Sequence, residues 1–247
     1  MSRREPAADQ RQAVFLTGGS SGIGAAIACE LAAMGYTVGC ASRRGTVPFE
    51  AEHVVPIAMD VSDDAAVRQS FTSFAESFGL TGLVNNAGAH HSTPSIKLDL
   101  ADLRNSLELN LISAVRLAQL AQPYLVAGGG GFIANIGSMY AELGVPGSLS
   151  YSAAKAALAS VTRTLAVEWA PLGIAVLNFA PGYVETGLNS SALKDDAIRE
   201  KVARRIPVRR IGTADEVGRL VARVLDAECE FLTGQTITID GGQGVRE

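Results

Sequence analysis

The stretch Thr17-Gly18-Gly19-Ser20-Ser21-Gly22-Ile23-Gly24 follows the apolar run Ala13-Val14-Phe15-Leu16 and leads straight into Ala25-Ala26-Ile27-Ala28-Cys29-Glu30-Leu31-Ala32-Ala33-Met34. An apolar run, a glycine-rich turn and a segment of helical period read as strand, phosphate cradle and helix. Gly18 permits the tight turn, and Gly22 lets backbone N–H groups approach a pyrophosphate. Gly24 permits close packing of helix against strand, and the helix N-terminus adds a partial positive charge. Ser20, Ser21 and Ile23 complete the cradle. A plain strand-to-helix turn also uses glycines, but the strand before and the helix after narrow that alternative.

Outward from this turn the same alternation continues. Strands are expected at Ala13–Thr17, Thr37–Ser42, His53–Met59, Gly82–Asn85, Gly131–Gly137, Gly173–Phe179 and Gln235–Asp240. Helices are expected at Gly22–Met34, Asp63–Phe78, Leu100–Val126, Ser150–Trp169 and Ala214–Leu225. Most of the strands are continuous apolar runs, which suits a parallel sheet covered by helices on both faces. The fold class is therefore α/β, a Rossmann-type doubly wound sheet of about seven strands, in one domain spanning residues 12–247 behind a lead-in of residues 1–11. Residues 186–210 fit the rhythm least well and are expected to form a loop over the substrate.

Composition sets bounds. With 247 residues, 47% apolar and 19% charged, and a net charge of −4, the chain reads as a globular protein with no leaning toward nucleic acid. Cys29, Cys40 and Cys229 are three in number, widely separated and without metal-ligand spacing, which predicts a reducing, cytoplasmic setting and no disulfide framework. The first ten residues carry no apolar signal core, and no segment is long and apolar enough to span a bilayer, so no membrane or metal partner is expected.

An NAD enzyme usually places an acid at the end of the second strand, where it binds the ribose 2′-hydroxyl. Here the stretch is Cys40-Ala41-Ser42-Arg43-Arg44, with no carboxylate. A guanidinium at Arg43, flanked by Ser42 and Arg44, can hold a 2′-phosphate instead, which predicts NADP(H) over NAD(H). A solvated pair of surface arginines is the alternative.

Tyr151 and Lys155 are four apart in Tyr-Ser-Ala-Ala-Lys, so a helix puts phenol and ammonium on one face. A phenol of pKa about 10 is a poor base near neutrality, and a nearby cation favours phenolate. Ser138, thirteen positions upstream at the end of an apolar run, can donate to a substrate oxygen that gains negative charge as hydride arrives at carbon. Tyr151 is then the general acid/base, Ser138 the oxygen donor, and Lys155 both the field on Tyr151 and an anchor for the nicotinamide ribose.

The TGxxxGIG turn, the Ser-Tyr-Lys set and their order resemble the short-chain dehydrogenase/reductase family over nearly the whole chain, from Thr17 to Gly242. The pattern is most similar to 3-oxoacyl-[acyl-carrier-protein] reductases. The resemblance implies that Asp60 and Val61 contact adenine, and that Asn86, Ala87 and Gly88 of the NNAG segment steady the sheet and line the cofactor. It implies that Pro181, Gly182, Val184 and Thr186 of the PGxxxT segment hold the carboxamide, and that Asn110 relays protons to Lys155 through a water. It also implies a homotetramer.

His90-His91 follows the NNAG segment and could face a substrate, but it is read as a loop pair, since no metal ligand lies at suitable spacing. Met139, Tyr140, Leu143, Leu149, Tyr183 and Leu188 are expected to line a moderately apolar pocket. Residues 186–210 carry seven basic and three acidic residues, either a solvated charged helix or a dock for an acidic carrier protein. Against the carrier, the chain has Gly128–Gly131 and Pro171-Leu172 where those reductases commonly carry basic residues. Three functions follow from the residues: an NADP(H)-dependent reductase of a small carbonyl substrate or a 3-oxoacyl thioester, the same enzyme working as an NAD-linked alcohol oxidase, or a non-catalytic NADP(H)-binding sensor.

Overall fold

The computed structural model describes residues 12–186, 195–227, 229 and 231–245. The expected lead-in, Leu188 and Lys194 lie outside these. Seven parallel strands form one sheet in the order β3-β2-β1-β4-β5-β6-β9. They are β1 (Ala13–Thr17), β2 (Thr37–Ser42), β3 (Val54–Ala58), β4 (Gly82–Asn85), β5 (Gly131–Ile136), β6 (Ile174–Pro181) and β9 (Thr236–Ile239). Two further strands, β7 (Val184–Glu185) and β8 (Gly212–Thr213), pair with each other beside it. The seven expected strands are thus present, with ends moved by one or two residues.

Successive residues of β1 serve opposite faces, as strand geometry requires. Ala13 and Phe15 join a core with α2 (Asp64–Phe78) and α4 (Ser113–Ala127), where Phe15 meets Phe71 edge-on at 5.0 Å. Val14 and Leu16 join a second core with α1 (Gly22–Ala33) and α7 (Ala214–Asp226). Because both faces of the central strands are covered, those strands are mostly apolar.

The helix expected at Leu100–Val126 is two helices, α3 (Leu100–Leu107) and α4, joined by a π-helical turn, Glu108–Ile112. Asn110 lies within that turn, and its buried amide donates to the carbonyls of Ala89 and Ser106, both at 3.0 Å. A wider turn re-aims a side chain that regular helix would carry elsewhere. The fifth helix, α5 (Leu149–Trp169), matches its expected position. The segment 186–210 includes a helix the sequence reading left undivided, α6 (Asp196–Ala203), capped by the Asp195 carboxylate.

One row of polar side chains crosses the apolar sheet. Asn85, Asn135, Asn178 and Thr236 are register partners on β4, β5, β6 and β9. Asn85 donates to Asn135 at 2.9 Å, Asn135 donates to Thr162 of α5 at 2.9 Å, and Asn178 donates to Thr236 at 3.1 Å. The row runs from the carboxyl ends of β4 and β5, where ligands bind in open α/β sheets, through the middle of β6 to the amino end of β9.

Candidate active site

The glycine-rich turn joins β1 to α1. Gly18 (φ 74°) and Gly22 (φ 55°) adopt left-handed backbone that favours glycine. A methyl group on Gly24 would stand 2.4 Å from Asn86 Nδ2, closer still to the Gly18 carbonyl. The close approach at Gly24 is therefore to the turn and to the NNAG segment, and less to the strand than the sequence suggested. Asn86 ties the two together by donating to the carbonyls of Thr17 (3.0 Å) and Gly18 (3.2 Å), while its own N–H and that of Ala87 donate to the Thr17 hydroxyl at 3.0 Å.

The first turn of α1 carries no acidic residue, and its N-cap, Ser21, makes no side-chain cap. By contrast α2, α3, α6 and α7 are each capped by an Asp or Thr side chain. The N–H groups of α1 and its positive end are thus left for an external anion, and this geometry fits a dinucleotide pyrophosphate. Replacing Gly24 by alanine is expected to weaken NADPH binding by about tenfold or more, because a clash of this size costs roughly 1–3 kcal/mol. Fluorescence titration of NADPH, with circular dichroism as a folding control, checks this.

Beyond β2, the Ser42 hydroxyl accepts from Gly45 N–H at 3.1 Å and tightens a turn that leaves Arg43 and Arg44 exposed at the sheet's edge. Asp60 is exposed at the end of β3, its carboxylate accepting from Ser62 N–H at 2.9 Å. Val61 next to it is buried, and its carbonyl accepts from Arg116 at 3.2 Å. Arg116 also pairs with Asp64 and, at 2.8 Å, with Glu108, fixing this wall to the π-helical turn. Pro181 ends β6, and Gly182 packs against Asp240, where a methyl group would come within 2.7 Å of the Asp240 backbone. Val184 is buried, and a methyl on Gly22 would stand 3.3 Å from Thr186, so the PGxxxT segment lies against the glycine-rich turn.

Ser138, Tyr151 and Lys155 come together at the carboxyl end of β5. The Ser138 hydroxyl oxygen accepts from Tyr140 N–H at 3.2 Å, and the hydroxyl lies close enough to the Tyr151 phenol to pull its pKa down. Lys155 is buried, with Nζ 5.6 Å from the centre of the Tyr151 ring and donating to the Ile136 carbonyl at 2.8 Å. Burial pushes the Lys155 ammonium down to about 8. Burial pushes the Tyr151 phenol up, and the opposing pull comes from Ser138. Burial is the larger influence on the phenol and the Ser138 hydroxyl opposes it, while the Lys155 ammonium also donates to a backbone carbonyl. Gly88 separates Asn110 from the site, since a methyl there would stand 2.6 Å from Asn110 Oδ1 and 3.6 Å from Lys155 Nζ.

His90 lies in a loop, as expected, and faces the site. Its ring meets Tyr151 at 5.0 Å and Tyr140 at 5.7 Å, both edge-on, and its Nε2 is hydrogen-bonded to Ser148 Oγ at 2.9 Å. Burial, then neighbouring His91, pushes its pKa below the ordinary histidine value, so the ring is neutral at pH 7. The signal was its place, two residues beyond Gly88 in a segment already expected to line the cofactor. His91, exposed, fits the loop reading. Among the described residues there is no group of side chains able to hold a metal ion.

Known proteins share both the sequence and this architecture. Residues 18–243 match the family described as enoyl-(acyl carrier protein) reductase. A tropinone reductase homolog of Arabidopsis thaliana is 34% identical over 238 residues, covering 92% of this chain and 88% of its own. The 3-oxoacyl-[acyl-carrier-protein] reductase MabA of Mycobacterium tuberculosis is 30% identical over 235 residues, covering 95% and 93%. A gluconate 5-dehydrogenase of Burkholderia cenocepacia, solved with NADP and tartrate, superposes with a TM-score of 0.88 at 28% identity, covering 96% of this chain and 97% of its own. A short chain dehydrogenase family protein of Francisella tularensis has the same TM-score, 0.88, at 26% identity, covering 96% and 100%. With the glycine-rich turn, the parallel sheet and the Ser138-Tyr151-Lys155 cluster, these matches make the chain a member of the short-chain dehydrogenase/reductase family of nicotinamide-dependent oxidoreductases.

Proposed function

We propose that the chain is an NADP(H)-dependent oxidoreductase moving a hydride between nicotinamide and a carbonyl or secondary alcohol carbon, with Tyr151 as general acid/base. The observation that carries this is the meeting of Ser138, Tyr151 and the buried Lys155 at the end of β5, with the Lys155 ammonium 5.6 Å from the Tyr151 ring and the Ser138 hydroxyl pulling the phenol's pKa down. When bound, the dinucleotide supplies or accepts the hydride. Ser138 and Tyr151 form a donor pair for the substrate oxygen, where negative charge develops. Tyr151 passes its proton to that oxygen in reduction and takes it back in oxidation, while Lys155 stabilises the phenolate and, with Tyr151, holds the nicotinamide ribose. Asn110 completes the relay by placing a water beside Lys155.

In this reading Gly18, Ser20, Ser21, Gly22, Ile23 and Gly24 cradle the pyrophosphate, Asp60 and Val61 contact adenine, Asn86, Ala87 and Gly88 line the cofactor, and Pro181, Gly182, Val184 and Thr186 hold the carboxamide. Arg43, with Ser42 and Arg44, takes the 2′-phosphate. Support for that role is its exposure at the end of β2 and the absence of any carboxylate in that stretch. Replacing Arg43 by alanine is expected to reduce the ratio of NADPH to NADH efficiency by about ten- to a hundredfold, the worth of a charge-assisted pair. Equal use of both cofactors by the parent chain, unchanged in the variant, would sink this assignment.

A small carbonyl compound is favoured over a carrier-bound thioester. Arg199 pairs with Glu185, Arg204 with Glu200 and Arg210 with Glu216, so much of the basic surplus near α6 is neutralised internally. The reading includes one domain with a substrate loop near 186–210, a cytoplasmic location and a homotetramer. Exposed Val126 on α4 and Val167 on α5 support subunit contact. Among the described residues no helix is long and apolar enough to cross a membrane. The test is a panel of carbonyls and alcohols followed by NADPH fluorescence. Binding of NADPH without turnover of any member, with a biological effect unaltered by Tyr151→Phe, points to the sensor instead.

A further inference from the structure

Four rings converge beside the reacting hydroxyls, each delivered by a different part of the fold. His90 follows β4, Tyr140 follows β5, Tyr151 opens α5 and Tyr183 follows β6. Tyr140 stands at the centre, 5.7 Å from His90, 6.0 Å from Tyr151 and 6.2 Å from Tyr183, every contact edge-to-face. All four side chains are only partly buried. The sheet, not local sequence, assembles this wall.

The polar tips are engaged within the wall itself. Tyr140 donates to the Tyr183 hydroxyl at 3.2 Å, and His90 is held by Ser148, whose residue is only 1% exposed. What remains for a ligand is chiefly apolar and π surface. Among the described residues no carboxylate or guanidinium pairs with any of these four rings, and the cation beside them is Lys155. Tyr183 borders a pocket shared with Arg210, Glu216 and Asp240, but Arg210 is already paired with Glu216, so a phosphorylated or carboxylate-bearing substrate meets an arginine whose charge is offset. A cationic one meets the like charge of Lys155 beside the reacting hydroxyls.

Resting on the reductase reading above, we propose that His90, Tyr140 and Tyr183 form an aromatic subsite for the ring of a neutral cyclic or aryl ketone, seated with its carbonyl at Ser138 and Tyr151. Aromatic walls favour flat or alicyclic rings through edge-on and offset contacts beyond simple area burial, and a flexible chain must be ordered at an entropic cost to lie on the same surface. Tyr140 is the central determinant because it touches the other three rings.

The experiment measures kcat/KM with NADPH for matched pairs, cyclohexanone against a straight-chain hexanone and acetophenone against a straight-chain octanone, with acetoacetyl thioester and cationic N-methylpiperidone alongside. The parent chain is expected to favour each ring compound by about tenfold or more. Tyr140→Leu and His90→Leu are expected to erase that ratio, and Tyr140→Phe, which keeps the ring, to retain it. NADPH titration of each variant shows that it is folded. Equal turnover of ring and chain ketones, preference for the thioester or the cationic piperidone, or a ratio untouched by Tyr140→Leu overturns the subsite while leaving the reductase reading intact. Failure to reduce any carbonyl overturns both.

Discussion

Replacing Tyr151 by phenylalanine is expected to lower kcat by about a thousandfold for every carbonyl the chain reduces, within the range of roughly a hundred- to ten-thousandfold typical of general acid catalysis. The substitution keeps the ring and its edge-on contacts with His90 and Tyr140. It removes only the hydroxyl beside Ser138, at a cost of no more than about 1 kcal/mol in stability. NADPH affinity should fall by no more than about tenfold, because only the proposed ribose contact of Tyr151 is lost and the glycine-rich turn after β1 is untouched. Single-turnover kinetics and NADPH titration of the two proteins make the comparison. Retention of a tenth or more of the parent rate would mean that the proton comes from elsewhere.

Lys155→Met is expected to act in two directions at once. Burial holds the ammonium near 8 in the folded chain, against about 10.4 when unfolded. Between those values the unfolded chain binds more protons than the folded one, so the lysine's contribution to stability rises with pH across that window. Below about pH 8 the folded protein carries the charge at a cost of about 3 kcal/mol. Methionine removes that cost and forfeits the bond to the Ile136 carbonyl, worth about 1 kcal/mol, for a net gain of about 2 kcal/mol at pH 7. Urea unfolding should show the gain at pH 7 and its disappearance above about pH 10. Turnover should fall by about a hundredfold or more, since the phenolate loses its cation. A variant less stable than the parent at pH 7 would refute the burial argument. The pairing of a stability gain with lost function is what a strained catalytic group produces.

The positions of the seven main strands were legible because covered parallel strands are short, apolar and bounded by turns, as in Ala13–Thr17. The nucleotide turn was legible because its glycines serve backbone geometry, which sequence states directly. What escaped depends on tertiary pairing. The strands Val184–Glu185 and Gly212–Thr213 have two residues each, too few for any period, and exist because the chain brings them side by side. The turn at Glu108–Ile112 has no glycine or proline and is flanked by helix on both sides, so it reads as continuous helix. His90 lies in the loop its sequence predicts, but its ring contacts were not legible: its partners, Tyr140 and Tyr151, come from the turn after β5 and from α5, which no local pattern displays.

The row of Asn85, Asn135 and Asn178 has a consequence for how such a protein can change. Two of its carbonyl oxygens, on Asn85 and Asn178, are buried without a partner among the described residues, at a cost of about 1–3 kcal/mol each. What the amides give in return is indexing. A strand displaced by one residue would turn each amide into the opposite apolar core, so β4, β5 and β6 are held at one depth. Ser138 lies three residues beyond Asn135 and Pro181 three beyond Asn178, counted from the same line. Loops that begin past these points can lengthen, shorten or exchange aromatic for aliphatic residues without shifting the reacting hydroxyls. Substrate preference can therefore drift while the chemistry stays in place.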